Sequence, residues 1–139
     1  MAKKAKAKDF SLLISRFVEK QKADHQLIIR KLITDIFTRI VLRSPVDTGR
    51  FRANWYPLRS GFSKNKNPEM KDKTGNASIE RINGIVASAV AGDTYTLTNN
   101  LPYAVALEYG HSGQAPNGMV RVTTAEFRTM LKKAVRSRK

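Results

Sequence analysis

Residues capable of chemistry are few in this chain, and each stands in a setting that argues against catalysis. Asp47-Thr48-Gly49 is the triplet with which a dimeric aspartic protease shares one proton between two carboxylates. That chemistry needs the triplet at the end of an apolar strand in an all-β sandwich, whereas a long helical pattern precedes it here and Arg50 follows. The triplet is read instead as a turn, with Asp47 accepting a bond from a nearby backbone N–H and Gly49 free to take positive φ. His111 and Ser112 pair a base with a nucleophile on paper. Yet Gly110-His111-Ser112-Gly113 misses the G-x-S-x-G elbow by one position and lacks its strand-turn-helix surroundings. His25 and His111 are the two histidines of the chain and there is no cysteine, too little for a zinc site or a disulfide. No carboxylate pair and no phosphate-cradling glycine loop is visible, so the chain is expected not to be an enzyme and to hold no cofactor.

Charge says more. The formal net charge is +15, enough to imply a polyanion nearby or at least strong nonspecific attraction to nucleic acid. It is unevenly placed: residues 1–50 hold twelve basic and five acidic residues, and the tail from Arg128 holds six basic and no acidic ones. Between Arg81 and Arg121 there is no Lys or Arg, and Asp93 and Glu108 are the formal charges. Basic ends thus flank a charge-poor middle, Leu97 to Val120, that is expected to meet something other than solvent. Glu108, nearly alone there, is expected to accept backbone or tyrosine hydroxyl hydrogen bonds.

The elements that must position these residues follow from periodicity. A single α+β domain over 1–139 is expected, with a long N-terminal helix, two further helices and a small antiparallel sheet. Residues 1–8 alternate lysine with alanine as a basic arm. Asp9 then serves as N-cap of a helix running to Arg43, with Phe10, Leu13 and Phe17 on one face and Ile29, Leu32, Ile33, Ile36, Phe37 and Ile40 continuing it. Pro45 closes that helix. Phe51, Ala53 and Trp55 alternate as a first strand, and Tyr95 and Leu97 mark a second. Residues 60–75, with two glycines, a proline and no periodicity, read as a mobile loop. Asn76 caps a second helix expected to stop at Gly92, despite the turn-prone Asn83-Gly84. Pro102 suits the first turn of a helix, and Tyr103, Ala106, Leu107 and Gly110 share one face through a short segment. Val122 to Val135 forms a C-terminal amphipathic helix that enters a basic tail, 128–139. No apolar run approaches the ~20 residues needed to span a bilayer, and no apolar segment follows the basic N-terminus as in a secretory signal, so a soluble protein without membrane partners is expected.

The motifs also occur in a telling order. Ser44 to Gly49 with Asn54 and Trp55 (S-P-V-D-T-G-x-F-R-x-N-W) come first, then Thr98 to Asn100 with Pro102 to Ala104 (T-N-N-x-x-P-Y-A). Glu108, Gly110, Ser112, Gln114 to Pro116 and Gly118 to Val120 (E-x-G-x-S-x-Q-A-P-x-G-M-V) complete the series. The chain resembles the minor tail protein Z family of lambda-like phages, the tail-completion or head-tail joining proteins of long-tailed phages. The resemblance spans nearly the whole chain, with 60–76 as variable sequence.

It implies a structural neck protein, assembled in the host cytoplasm and carried in the virion. Such a protein forms a ring, a hexamer, between a head-side connector or stopper protein and a tail terminator or tail tube protein, leaving a channel for genomic DNA. A ring closes through heterologous contacts, which need two different patches. Phe10, Leu13 and Phe17 are expected to supply one, and Tyr103, Leu107, Glu108, Tyr109 and Met119 the other. Lys64, Lys66, Lys71, Lys73, Arg138 and Lys139 would face the DNA, without sequence specificity. The alternative is a nonspecific basic nucleic-acid-binding protein that forms no ring.

Overall fold

Residues 2–136 are described in the computed structural model; the side chains of residues 2–14, 17 and 18 lie outside that description. The fold is α+β, with five α-helices and a two-stranded antiparallel sheet among the described residues.

Helix α1, Ala2–Arg43, is about 63 Å long at 1.5 Å per residue. A compact chain of 139 residues has a radius of gyration of roughly 14 Å, or roughly 37 Å across, so α1 outruns the body it serves. It starts at Ala2 and not at Asp9, because alanine and lysine are both strong helix formers and nothing in the run interrupts the backbone ladder. Its C-terminal half carries the core: Phe37, Ile40 and Val41 are buried against Phe51, Trp55, Ile82, Leu101, Ala115 and Met119.

The first strand falls later than its alternation suggests. Phe51 lies in a turn, Arg52–Asn54 forms a single 3-10 turn, and β1 runs Trp55–Arg59. Phe51, Ala53 and Asn54 are all buried, which a strand with one apolar face would not allow. The helical turn is held by Gly49 O, which accepts the N–H of Ala53 at 3.0 Å and of Asp72 at 3.1 Å. β1 pairs with β2, Tyr95–Asn99, in the register Trp55 with Asn99 through Arg59 with Tyr95. Pro57 is tolerated because a two-stranded ribbon has only edge strands.

Helix α2, Asn76–Val86, ends six residues before Gly92. Asn76 is its first residue and not its cap. The cap is Gly75, at φ +80°, and the first turn is held from outside by the Asp72 carboxylate, which accepts the N–H of Ala77 at 2.8 Å and of Thr74 at 3.0 Å. These bonds, with that of the Thr74 hydroxyl first among the causes, hold the Asp72 carboxyl below its ordinary pKa. Asn83-Gly84 stays helical. On the body side of α2, Ser78 donates to Arg52 O at 2.8 Å, and Arg81 donates to Ala53 O and Trp55 O while stacking over Tyr56 at 4.0 Å.

A short helix α3, Ala104–Glu108, follows the sheet. The C-terminal helix is two: α4, Val120–Ala125, and α5, Phe127–Arg136. Glu126 sits at the break with its carboxylate paired to Arg39, at 2.9 Å, and to Arg43, both on α1. The Arg43 hydrogen bond, ahead of the other causes, holds Glu126 below the usual carboxylate range.

Candidate subunit interface

Glu108 organises the charge-poor stretch. At the C-terminal end of α3 its carboxylate faces the start of α4, where Oε2 accepts the N–H of Met119 at 3.1 Å and of Val120 at 3.0 Å. Oε1 accepts that of Arg121 at 2.9 Å. Arg121 donates to the Glu108 carbonyl at 2.6 Å and stacks over Tyr109 at 5.0 Å. Burial pushes the Glu108 carboxyl up, but three backbone N–H groups and the Arg121 guanidinium together outweigh it and hold the group below its ordinary value. A carboxylate at a helix N-terminus also suits the macrodipole. The role is structural: it fastens α4 to α3. Gly118 is required alongside, since it has φ +83° and a Cβ there would collide with the Glu108 carboxylate.

The first motif region is joined to this stretch through Gln114. Its side-chain amide accepts the Val46 N–H at 2.8 Å and donates to Val46 O at 2.9 Å, a two-point clasp across 68 positions. A cleft of about 330 Å³ lies between them, lined by Asp47, Thr48, Arg50, Tyr103, Ser112 and Gln114 among others. Asp47 and Ser112 therefore share one cleft, but both belong to turns. The Thr48 hydroxyl accepts the Arg50 N–H at 3.2 Å, and the Ser112 hydroxyl accepts that of Gln114 at 3.2 Å. Gly49 has φ +89°, and a Cβ on it would stand 2.5 Å from the Lys73 amide nitrogen. Behind the turn, buried Ser44 accepts the Trp55 indole N–H at 2.8 Å and donates to Ile40 O at 2.8 Å.

Segment 60–75, expected as a mobile loop, is tied to the body by two asparagines. Asn54, fully buried, donates to Asn67 O at 3.0 Å and accepts the Asn67 N–H at 2.7 Å, while Asn100 donates to Ser63 O at 2.8 Å and Asn65 O at 3.0 Å. Lys64, Lys66, Lys71 and Lys73 project from it, exposed.

Of the residues expected to form the central patch, the structure removes one. Met119 is 1% exposed and lies in the core, where the Glu108 bonds hold the chain at the start of α4. Leu107 is half-buried and packs on the same core. Tyr103 stays at the surface at 38% exposure, its ring centroid 6.0 Å from that of Phe51 and the two rings tilted, and Tyr109 is 66% exposed. Val105, 68% exposed, is the apolar residue that sequence reasoning missed. The Tyr109 N–H donates to Val105 O at 3.1 Å, which stacks the two side chains one helical turn apart. Its signal was the i, i+4 spacing opposite Ala106 and Leu107. The side chains of Phe10, Leu13 and Phe17 lie outside the described residues, and so do Arg138 and Lys139 entirely.

Among the described residues no cluster of His, Asp or Glu could hold a metal ion, and no helix is long and apolar enough to cross a membrane. Comparison with protein-family models, with curated proteins and with solved structures returns no match.

Proposed function

We propose that this chain is a structural neck protein of a tailed phage, a ring-forming subunit, hexameric, that seats the tail tube on the DNA-filled head connector and leaves a channel for the genome. The observation that carries the reading is the exposed pair of Val105 and Tyr109 on one face of α3, with Tyr103 exposed at the helix start, set in a stretch that has no lysine or arginine from Ile82 to Val120. Contiguous exposed apolar side chains rimmed by polar ones mark interaction sites, and aromatic residues are enriched at the centres of interfaces while lysine is depleted. A helix longer than the body it belongs to supports the reading too, since it can reach a neighbouring subunit. The ordered motif series adds to this: Ser44 to Gly49 and Gln114 to Pro116, distant in sequence, are clasped together by the Gln114 amide beside that surface.

The test is solution mass by light scattering on a sizing column in high salt, followed by negative-stain images. A closed ring of one defined size is expected, and Val105→Asp should dissolve it while leaving the far-UV circular dichroism unchanged. A monomer that binds duplex DNA and never closes into a ring, alone or with its connector, would sink the neck reading in favour of a nonspecific nucleic-acid-binding protein.

A further inference from the structure

Helix α5 carries a cationic ridge that no contact among the described residues accounts for. Arg128, Lys132 and Arg136 are spaced at i, i+4 and i+8, all exposed, on the side away from buried Met130 and Ala134. Like charges four apart on a helix repel one another by a few tenths of a kcal/mol per pair. The helix dipole accounts for Arg136 in the last turn but not for mid-helix Lys132, nor for Arg128, the second residue of α5, which stands at the positive end where a cation is disfavoured. The first turn of α5 holds no acidic residue.

Among the described residues, the carboxylates beside α5 are already engaged. Glu126, two residues before Arg128, is turned back onto Arg39 and Arg43, and Asp35, on the stretch of α1 that faces Met130 and Ala134, pairs with Arg39. Beside the ridge a groove of about 560 Å³ is lined by Thr129, Lys132, Lys133 and Arg136, so a hydroxyl donor lies among the cations. The apolar face of α5 is occupied, since it packs against α1, and the ridge therefore faces outward.

We propose that this ridge is a contact surface for the phosphate backbone of duplex DNA. Successive ridge residues rise about 6 Å along the helix axis. One strand of a duplex presents a phosphate every 3.4 Å or so along its axis, so each step spans about two phosphates when α5 lies along the duplex. Such contacts carry no sequence information. The proposal rests on the reading that DNA passes the subunit, and it moves the principal contact from the lysines of 60–75 to α5.

The experiment measures the affinity of the full chain for a fluorescent duplex of about 25 base pairs against salt concentration, with light scattering on the same samples. Losing three phosphate contacts should lower the magnitude of the slope of log K against log salt by about 2.7. This loss is expected for Arg128→Gln/Lys132→Gln/Arg136→Gln. The control, Lys64→Gln/Lys66→Gln/Lys71→Gln, should change the slope by less than about 1. All six positions are exposed, so circular dichroism and melting should match the parent chain. A ridge variant whose slope stays within about 1 of the parent, or a control that loses as much as the ridge, overturns the assignment. Ring formation is read separately. A ring with an unchanged slope removes this proposal alone, and absence of any ring with the full slope loss removes the neck reading alone.

Discussion

Removal of the Glu108 carboxylate should loosen the joint between α3 and α4 by an amount that depends on pH. The side chain is 18% exposed and accepts three backbone N–H groups. A hydrogen bond to a charged group contributes about 1.5–3 kcal/mol and a helix cap about 1. Val120 and Arg121 are exposed, so water can replace part of what is lost, and the cost of Glu108→Ala is about 2–4 kcal/mol. At roughly 4 °C per kcal/mol for a chain of this size, Tm should fall by about 8–16 °C. Glu108→Gln should cost about half as much, because one of its two acceptor oxygens becomes an NH2 group facing backbone donors.

The sign with pH follows from the direction of the shift. The folded-state pKa of Glu108 lies below its unfolded value, so its stabilisation is complete above about pH 4.3 and disappears as pH falls through the folded value. Urea unfolding of the parent chain and Glu108→Gln from pH 7 downward should therefore show a gap of about 1–2 kcal/mol that closes in acid. A gap that is the same at every pH, or one below about 0.5 kcal/mol at pH 7, would refute the reasoning, since it would mean the carboxylate charge does not hold α4.

Three further outcomes are expected. Ser44→Ala leaves the buried Trp55 indole N–H without an acceptor and should cost about 1–3 kcal/mol by urea denaturation, with a shift in tryptophan emission. Asn54→Asp keeps the acceptor for Asn67 N–H but loses the donor to Arg50 O and Asn67 O, so trypsin should cut at Lys64 and Lys66 markedly faster than in the parent chain. Gly84→Ala, at a helical site with nothing within 4 Å of the added methyl, should stabilise the chain by about 0.5–1 kcal/mol in thermal melts.

Several features of the fold and the candidate interface were legible before any coordinates. The Ile33, Ile36, Phe37 and Ile40 spacing marks the core half of α1, and Tyr95 and Leu97 share the inward face of β2. Glu108 stood out because it is isolated in charge. Its partners did not, since they are backbone amides that every residue owns. Phe51, Ala53 and Trp55 show the opposite case: alternation suggested a strand, but burial on all sides came from a 3-10 turn locked by Gly49 O. Periodicity reports which residues avoid water and is silent on which backbone donors meet which acceptors.

What the sequence alone determined is the α+β class, the long helix closed by Pro45, and the contrast between a charge-poor middle and basic ends, because these depend on local propensity and on counting charges. Tertiary structure decided the rest. It buried Met119 and exposed Val105, it tied segment 60–75 down through Asn54 and Asn100, and it turned Glu126 onto α1, away from the outward-facing Arg128, Lys132 and Arg136 of α5. Each of these outcomes is a pairing between groups far apart in the chain, and a pairing is fixed only when folding brings both partners to the same place.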